Sequence, residues 1–237
     1  VKSTKIFGFA VMAAIAAMAI VGASAASAGI HESIGFCQEN KPLLCTNTFG
    51  VPTGGATVFL AEAKNATLKN NAFFSTAETC EVSKTAVSTK ETMNKPLPGE
   101  VTELTFTGCS GPCTTATAKG LPWKGELSMS GESTWALLAK EGKVLLSGCT
   151  FGTSCEYGVP AGGLTLTGED EAAGGVVKAN GVSVAYKAGS GEFVCGSTGT
   201  WTAAYKATET DLVDSAGKVT KDGKWWFTLL GAKNTKE

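Results

Sequence analysis

The chain contains no arginine; all 20 of its basic residues are lysine, set against 21 acidic residues for a net charge of −1. Proteins that grip phosphate or nucleic acid rely on the bidentate fork of arginine and on a basic face. With neither present, nucleic-acid binding is not expected. Histidine is almost missing as well, with His31 alone. Because histidine is the usual general base and a common metal ligand, a Ser-His-Asp or Cys-His machine has no base to draw on away from that residue. No glycine-rich phosphate loop and no nucleophile elbow occurs, so no cofactor is expected and a non-enzymatic role is favoured.

The N-terminus supplies the first positive feature. Lys2 and Lys5 precede an apolar run from Ile6 to Val21, followed by Gly22-Ala23-Ser24-Ala25-Ala26-Ser27-Ala28. A charged start, an apolar stretch and small residues in an A-x-A pattern predict a secretory signal peptide over residues 1–28. Cleavage after Ala25 or after Ala28 fits, and the polar stretch His31-Glu32-Ser33 favours the second. A retained anchor is the rival reading, but a spanning helix needs about 20 apolar residues. After cleavage the chain carries 18 lysines against 21 acids. It is expected in the secreted or cell-surface fraction, off the membrane. His31 would then be third in the mature chain, where it is incidental unless it chelates Cu²⁺ or Ni²⁺ with the free amine.

Beyond residue 35 the pattern has period two. In Leu104-Thr105-Phe106-Thr107, Leu164-Thr165-Leu166-Thr167 and Val182-Ser183-Val184-Ala185-Tyr186 the apolar residues share a face, as do Trp201, Ala203 and Tyr205. This predicts strands with one buried and one wet side. Asn180-Gly181 reads as a two-residue hairpin turn, and residues 61–71 as strand and loop. Many short strands with closely spaced turn signals predict an all-β fold, an antiparallel β-sandwich or barrel. The expected domain occupies residues 29–209, with residues 210–237 as a C-terminal strand or tail. Within it, residues 104–132 and 144–169 both read strand, Gly-Cys, loop, Cys, strand, Pro, strand, Gly-Glu. That order suggests a duplicated three-stranded unit.

All eight cysteines follow the export segment, so disulfides are expected. Proximity pairs Cys37 with Cys45, Cys109 with Cys113 and Cys149 with Cys155, and leaves Cys80 and Cys195 to join across the fold. Loop-closure entropy assigns about 2 kcal/mol to the shortest of these rings and about 5 kcal/mol to the longest. A metal site from Cys109, Cys113, Cys149 and Cys155 is the rival, but zinc sites favour tighter pairs and reducing compartments.

Three segments carry a likeness: Leu104-Thr-Phe-Thr-Gly-Cys109, Leu121-Pro122-Trp123 and Thr200-Trp-Thr-Ala-Ala-Tyr-Lys206. They resemble a group of secreted, cysteine-containing β-proteins of actinobacteria, over most of residues 1–207. The resemblance implies export and disulfides; no activity is assigned to that group. The stretch from Asp211 to Glu237, with Trp225-Trp226, departs from it.

Candidate sites are few. Trp225-Trp226-Phe227 is the densest aromatic cluster, and Trp123 lies after Pro122. Exposed tryptophans are platforms for sugars or partner proteins, whereas a terminal strand or a loop plug is the plainer use. Glu169-Asp170-Glu171 would suit Ca²⁺ or carboxylate acid–base chemistry, yet consecutive acids at a turn are usually solvated. Asp211, Asp214 and Asp222 match no calcium loop, and Asn65-Ala66-Thr67 fits a glycosylation pattern. The leading expectation is a non-catalytic extracellular module that binds a glycan or protein, or is structural. The alternatives are a carboxylate-dependent glycoside hydrolase and a carrier of a small apolar ligand. An enclosed empty cavity would favour the carrier.

Overall fold

The computed structural model describes residues 33–37, 53–72, 77–90, 93–94, 96–129, 134–169, 175–221 and 226–230. The expected export segment, His31, Cys45, Asp170, Glu171, Asp222 and Trp225 lie outside them, and so does the expected Cys37–Cys45 pairing.

The alternation of threonine or serine with apolar residues produces strands, as the pleat requires. In order they are β1 (Ser33–Cys37), β2 (Ala56–Asn70), β3 (Ala77–Thr89), β4 (Met93–Asn94), β5 (Leu97–Ser110), β6 (Thr115–Lys119), β7 (Trp123–Met129) and β8 (Thr134–Ala139). There follow β9 (Lys143–Ser147), β10 (Cys155–Gly158), β11 (Leu164–Glu169), β12 (Val176–Gly189), β13 (Thr198–Val213), β14 (Val219–Lys221) and β15 (Trp226–Leu230). A four-residue helix, α1 (Glu192–Cys195), joins β12 to β13.

The strands close into an antiparallel barrel of eight staves. Five staves are single strands: β2, β3, β5, β12 and β13. The other three are each interrupted once. β6 and β7 form one, broken at Gly120-Leu121-Pro122; β8 and β9 another, broken at Lys140-Glu141-Gly142; β10 and β11 the third, broken across residues 159–163. On one side of the breaks β6, β9 and β10 pair in order; on the other, β7, β8 and β11 do. Each stave therefore neighbours the next in sequence, and β13 closes the ring by pairing with both β12 and β2. The interval between the upper half of β5 and β6 has no backbone ladder, although the two strands lie side by side.

The two similar segments both lie within the one barrel. In each, a short strand steps through a proline-bearing break into the next tier: β6 to β7 through Pro122, and β10 to β11 through Pro160. Proline lacks the N–H that a continuous ladder would use, so the stave breaks there.

The inward faces carry the expected residues. Leu104, Leu164, Leu166, Val184, Ala203 and Tyr205 are buried, while Thr105, Thr107, Thr165 and Thr167 are exposed. An apolar interior with a polar exterior is the reverse of a lipid-facing barrel. Residues 61–70 lie wholly within β2. Asn180-Gly181 is not a hairpin: β12 runs through it, and the pair bulges opposite Thr202 of β13, between the Ala179↔Ala203 and Val182↔Trp201 pairings. Gly181 has φ +67°, which glycine adopts without steric cost in a bulge as readily as in a turn. The boundary expected at residue 209 falls inside β13, which β14 extends. β15, β1 and β4 form a separate small sheet.

Among the described residues the disulfides are Cys80–Cys109, Cys113–Cys149 and Cys155–Cys195. This overturns the expected Cys109–Cys113, Cys149–Cys155 and Cys80–Cys195 links. Cys80 stands directly opposite Cys109 in the β3–β5 ladder. Cys113, past the turn, belongs to a loop held against the β9 end: Thr114 N–H donates to the Ser147 carbonyl at 3.2 Å and Thr150 N–H to the Pro112 carbonyl at 2.8 Å. Neighbours in sequence are thus split between different staves. All three bridges gather at one end of the barrel.

Peptide mapping without reduction is expected to recover those three links; a Cys109–Cys113 or Cys149–Cys155 peptide would contradict the fold. With separations of 29, 36 and 40 residues, alanine replacement of any one pair should lower unfolding stability by about 3–4 kcal/mol on the loop-entropy account.

Candidate functional site

The barrel interior holds a cavity of about 140 Å³ that is partly open to the outside. It arises because inward residues are often small or slender: Ala61 and Ala66 on β2, Ala116 on β6 and Ala139 on β8 face larger side chains such as Phe59 and Leu104 without filling the space between. Eight staves give an interior that side chains just fill, or that holds one small ligand. A comparable apolar cavity of roughly 150 Å³ stays dry and takes a benzene-sized molecule.

Two tyrosines set the polar points of the wall. Tyr205 and Ser83 share a hydrogen bond at 2.8 Å through their hydroxyls, and the Tyr205 ring meets Trp201 edge-on at 6.0 Å. Tyr157, at the disulfide end, donates to the carbonyl of Cys195 and also bonds Asn70. Burial pushes both phenols up to about 12, so both stay neutral hydrogen-bonding groups.

Glu78 is a buried carboxyl on a mostly apolar lining. It opens β3, is only 3 % exposed, and borders both the main cavity and a neighbouring void of about 20 Å³ toward the disulfide end. Its Oε2 accepts the Cys113 N–H at 3.0 Å, while Oε1 is buried and has no partner among the described residues. Burying a carboxylate costs several kcal/mol, and one hydrogen bond to a charged group returns only about 1.5–3 kcal/mol. Burial therefore dominates and raises the Glu78 carboxyl above its ordinary 4.5, with the Cys113 N–H pulling the other way.

The second carboxylate on the lining, Glu141, is exposed at the stave break, where it accepts the Lys124 N–H at 3.2 Å. Beside it, Trp123 is half-buried; its indole N–H donates to the Lys119 carbonyl at 2.8 Å, and its ring lines the cavity. Trp123 is thus part of the wall rather than an open platform. It packs so closely over Gly142 that an added Cβ there would meet the ring at 2.8 Å.

The other candidates are scattered. Trp226 begins β15 opposite Cys37 of β1, away from the barrel ladders. Glu169 ends β11. Asp211 lies in β13, and Asp214 ties a turn by accepting the N–H groups of Ala216 and Lys218, both at 2.9 Å. Among the described residues no group of three His, Cys, Asp or Glu could hold a metal. Sequence reasoning missed Glu78, although it shares strand parity with Cys80. It also missed Phe151, 97 % exposed between β9 and β10, and Phe193, 80 % exposed in α1. No protein-family model, no curated protein and no solved structure matches the chain.

For Glu78 the sign of the pH effect follows from its raised pKa. A carboxyl raised in the folded state favours folding below its ordinary value, and that contribution is lost as pH rises through the folded value. Glu78→Gln, which keeps an acceptor for Cys113, should be more stable than wild type at pH 7 by about 1–3 kcal/mol. The gain should shrink toward zero near pH 4. Denaturant melts at both pH values check this; a difference independent of pH would contradict it.

Proposed function

We propose that this chain is an exported, non-catalytic carrier that holds one small apolar molecule inside a disulfide-stabilised barrel. The observation that carries the reading is the almost wholly apolar cavity of about 140 Å³ inside the barrel. Trp123, one of the expected open platforms, instead lines the interior. The bridges suit an oxidising extracellular setting, in keeping with the likeness to secreted actinobacterial β-proteins. The unladdered interval between β5 and β6 offers a route inward, because parting two strands there breaks no ladder bonds.

Toluene tests the reading by linkage. A ligand that binds only the folded state stabilises it by about 1.4–2.7 kcal/mol at 10–100 times its Kd. Toluene should raise the melting temperature of the wild-type protein. Ala61→Phe, which fills the cavity from β2, should abolish that rise while keeping the β-type circular dichroism. No rise in the wild type, or an equal rise in the variant, would refute the carrier.

A further inference from the structure

We infer that the molecule carried is a small apolar acid, with its hydrocarbon body in the cavity and its single carboxylate outside, on lysines at the rim. The inference rests on the carrier reading and adds the ligand's chemical class to it.

The rim can be placed. Among the described residues that line the cavity, Glu141 and Lys143 are exposed, and the rest are buried or half-buried. The two stand on either side of Gly142, where the β8–β9 stave breaks. The interior therefore meets solvent at this break, beside Trp123, Gly158 and Val159 of the neighbouring staves.

The charge gathered there is positive. Lys143 stands directly opposite Lys119 in the β6–β9 ladder and opposite Gly158 in the β9–β10 ladder. Gly158 presents no side chain, and two lysine stems close over it. An added Cβ there would meet Lys143 Cγ at 3.2 Å and Lys187 Cε at 3.1 Å. Lys119, Lys143 and Lys187 thus come together from three staves, and all three are exposed. Against them stand Glu156, 3.6 Å from Lys143 Nζ, and Glu141, which accepts the Lys124 N–H at 3.2 Å. Three cations and two anions leave this group at +1, in a chain whose net charge is −1. Like charges directly opposite in a ladder are destabilising. An anion between Lys119 and Lys143 relieves that repulsion.

The balance selects the head group. One carboxylate brings the group to neutrality, an ammonium raises it further, and a phosphate dianion overshoots. Lysine ammoniums act as point charges and impose no bidentate geometry, so several of them can share one carboxylate. The stems of Lys143 and Lys187 also lay hydrocarbon beside the mouth. Inside, the body of the ligand meets Leu104, Leu146, Leu166, Val184 and Trp201, in a space that takes about one benzene ring.

Titration calorimetry at pH 7 with the disulfide-intact protein tests this with 3-phenylpropionate, 3-phenylpropylamine and propylbenzene. The three share a ring and tether and differ in the charge presented at the rim. In low salt the acid should bind about tenfold or more tightly than the amine, and 1 M NaCl should close most of that gap. Propionate, which lacks the ring, should bind about tenfold or more weakly than 3-phenylpropionate. Lys143→Glu should abolish the preference for the acid and leave propylbenzene unchanged, which also reports that the variant is folded. Lys218→Glu, at the exposed turn before β14, should keep the preference. The wild-type comparison decides even where a variant fails to fold. An amine that binds as tightly as the acid, a preference that survives Lys143→Glu, or propionate as tight as 3-phenylpropionate would overturn the inference; propylbenzene binding would still leave the carrier intact. Failure of all three ring compounds to bind would overturn the inference and the carrier together.

Discussion

The fold depends on the closure made by β13. This strand, Thr198–Val213, pairs with β12 along one edge and with β2 along the other. Without that double pairing the meander would be an open sheet with exposed edges. Its inward residues would then face water instead of one another. Closure forces Trp201, Ala203 and Tyr205 against the opposite wall. The two interruptions in its ladder with β2, between Thr202 and Lys206 and between Ala207 and Glu209, supply the bending a small barrel needs. On the β12 side the Asn180-Gly181 bulge does the same.

Stability is unevenly distributed around that closed ring. The three described disulfides tie one end: Cys80–Cys109 joins β3 to β5, Cys113–Cys149 ties the loop after β5 to the loop after β9, and Cys155–Cys195 ties β10 to α1. The wall made of β6 to β11 is weaker, since each of its staves is interrupted and β6 has no ladder to β5. A rigid end and a broken wall suit a container: the first fixes the position of Glu78 through the Cys113 N–H, and the second gives access. Glu78 itself opposes stability, because its buried Oε1 has no partner among the described residues. Groups that cost folding energy and line a cavity are where function is expected to sit.

Much of the barrel was legible in the sequence because parity is a local property. Leu104 and Phe106, Leu164 and Leu166, and Trp201 and Tyr205 show their common faces without any knowledge of partners. Asn180-Gly181 was misread because a hairpin turn and a bulge both require a positive φ at glycine; only the pairing of the flanking residues with β13 distinguishes them. The disulfides were misread because distance along the chain stood in for distance in space. Cys109 and Cys113 are four residues apart, yet a turn directs one to β3 and the other toward β9. The cavity could not be read at all: alanines on inward faces look like core, and whether they leave a void depends on what stands across the barrel. Trp123 looked like a loop residue because Pro122 precedes it, whereas it starts a strand whose inner side is the cavity wall.

The central claim is that the closed barrel holds a dry, apolar space at its centre. Crystals of the protein exposed to pressurised xenon test this most directly, since xenon enters empty apolar cavities and avoids polar, hydrated ones. The account predicts a xenon peak inside the barrel among Phe59, Leu104, Leu166 and Val184, with no ordered water at that position. A barrel interior filled by side chains or by a chain of ordered waters, with xenon absent, would contradict it.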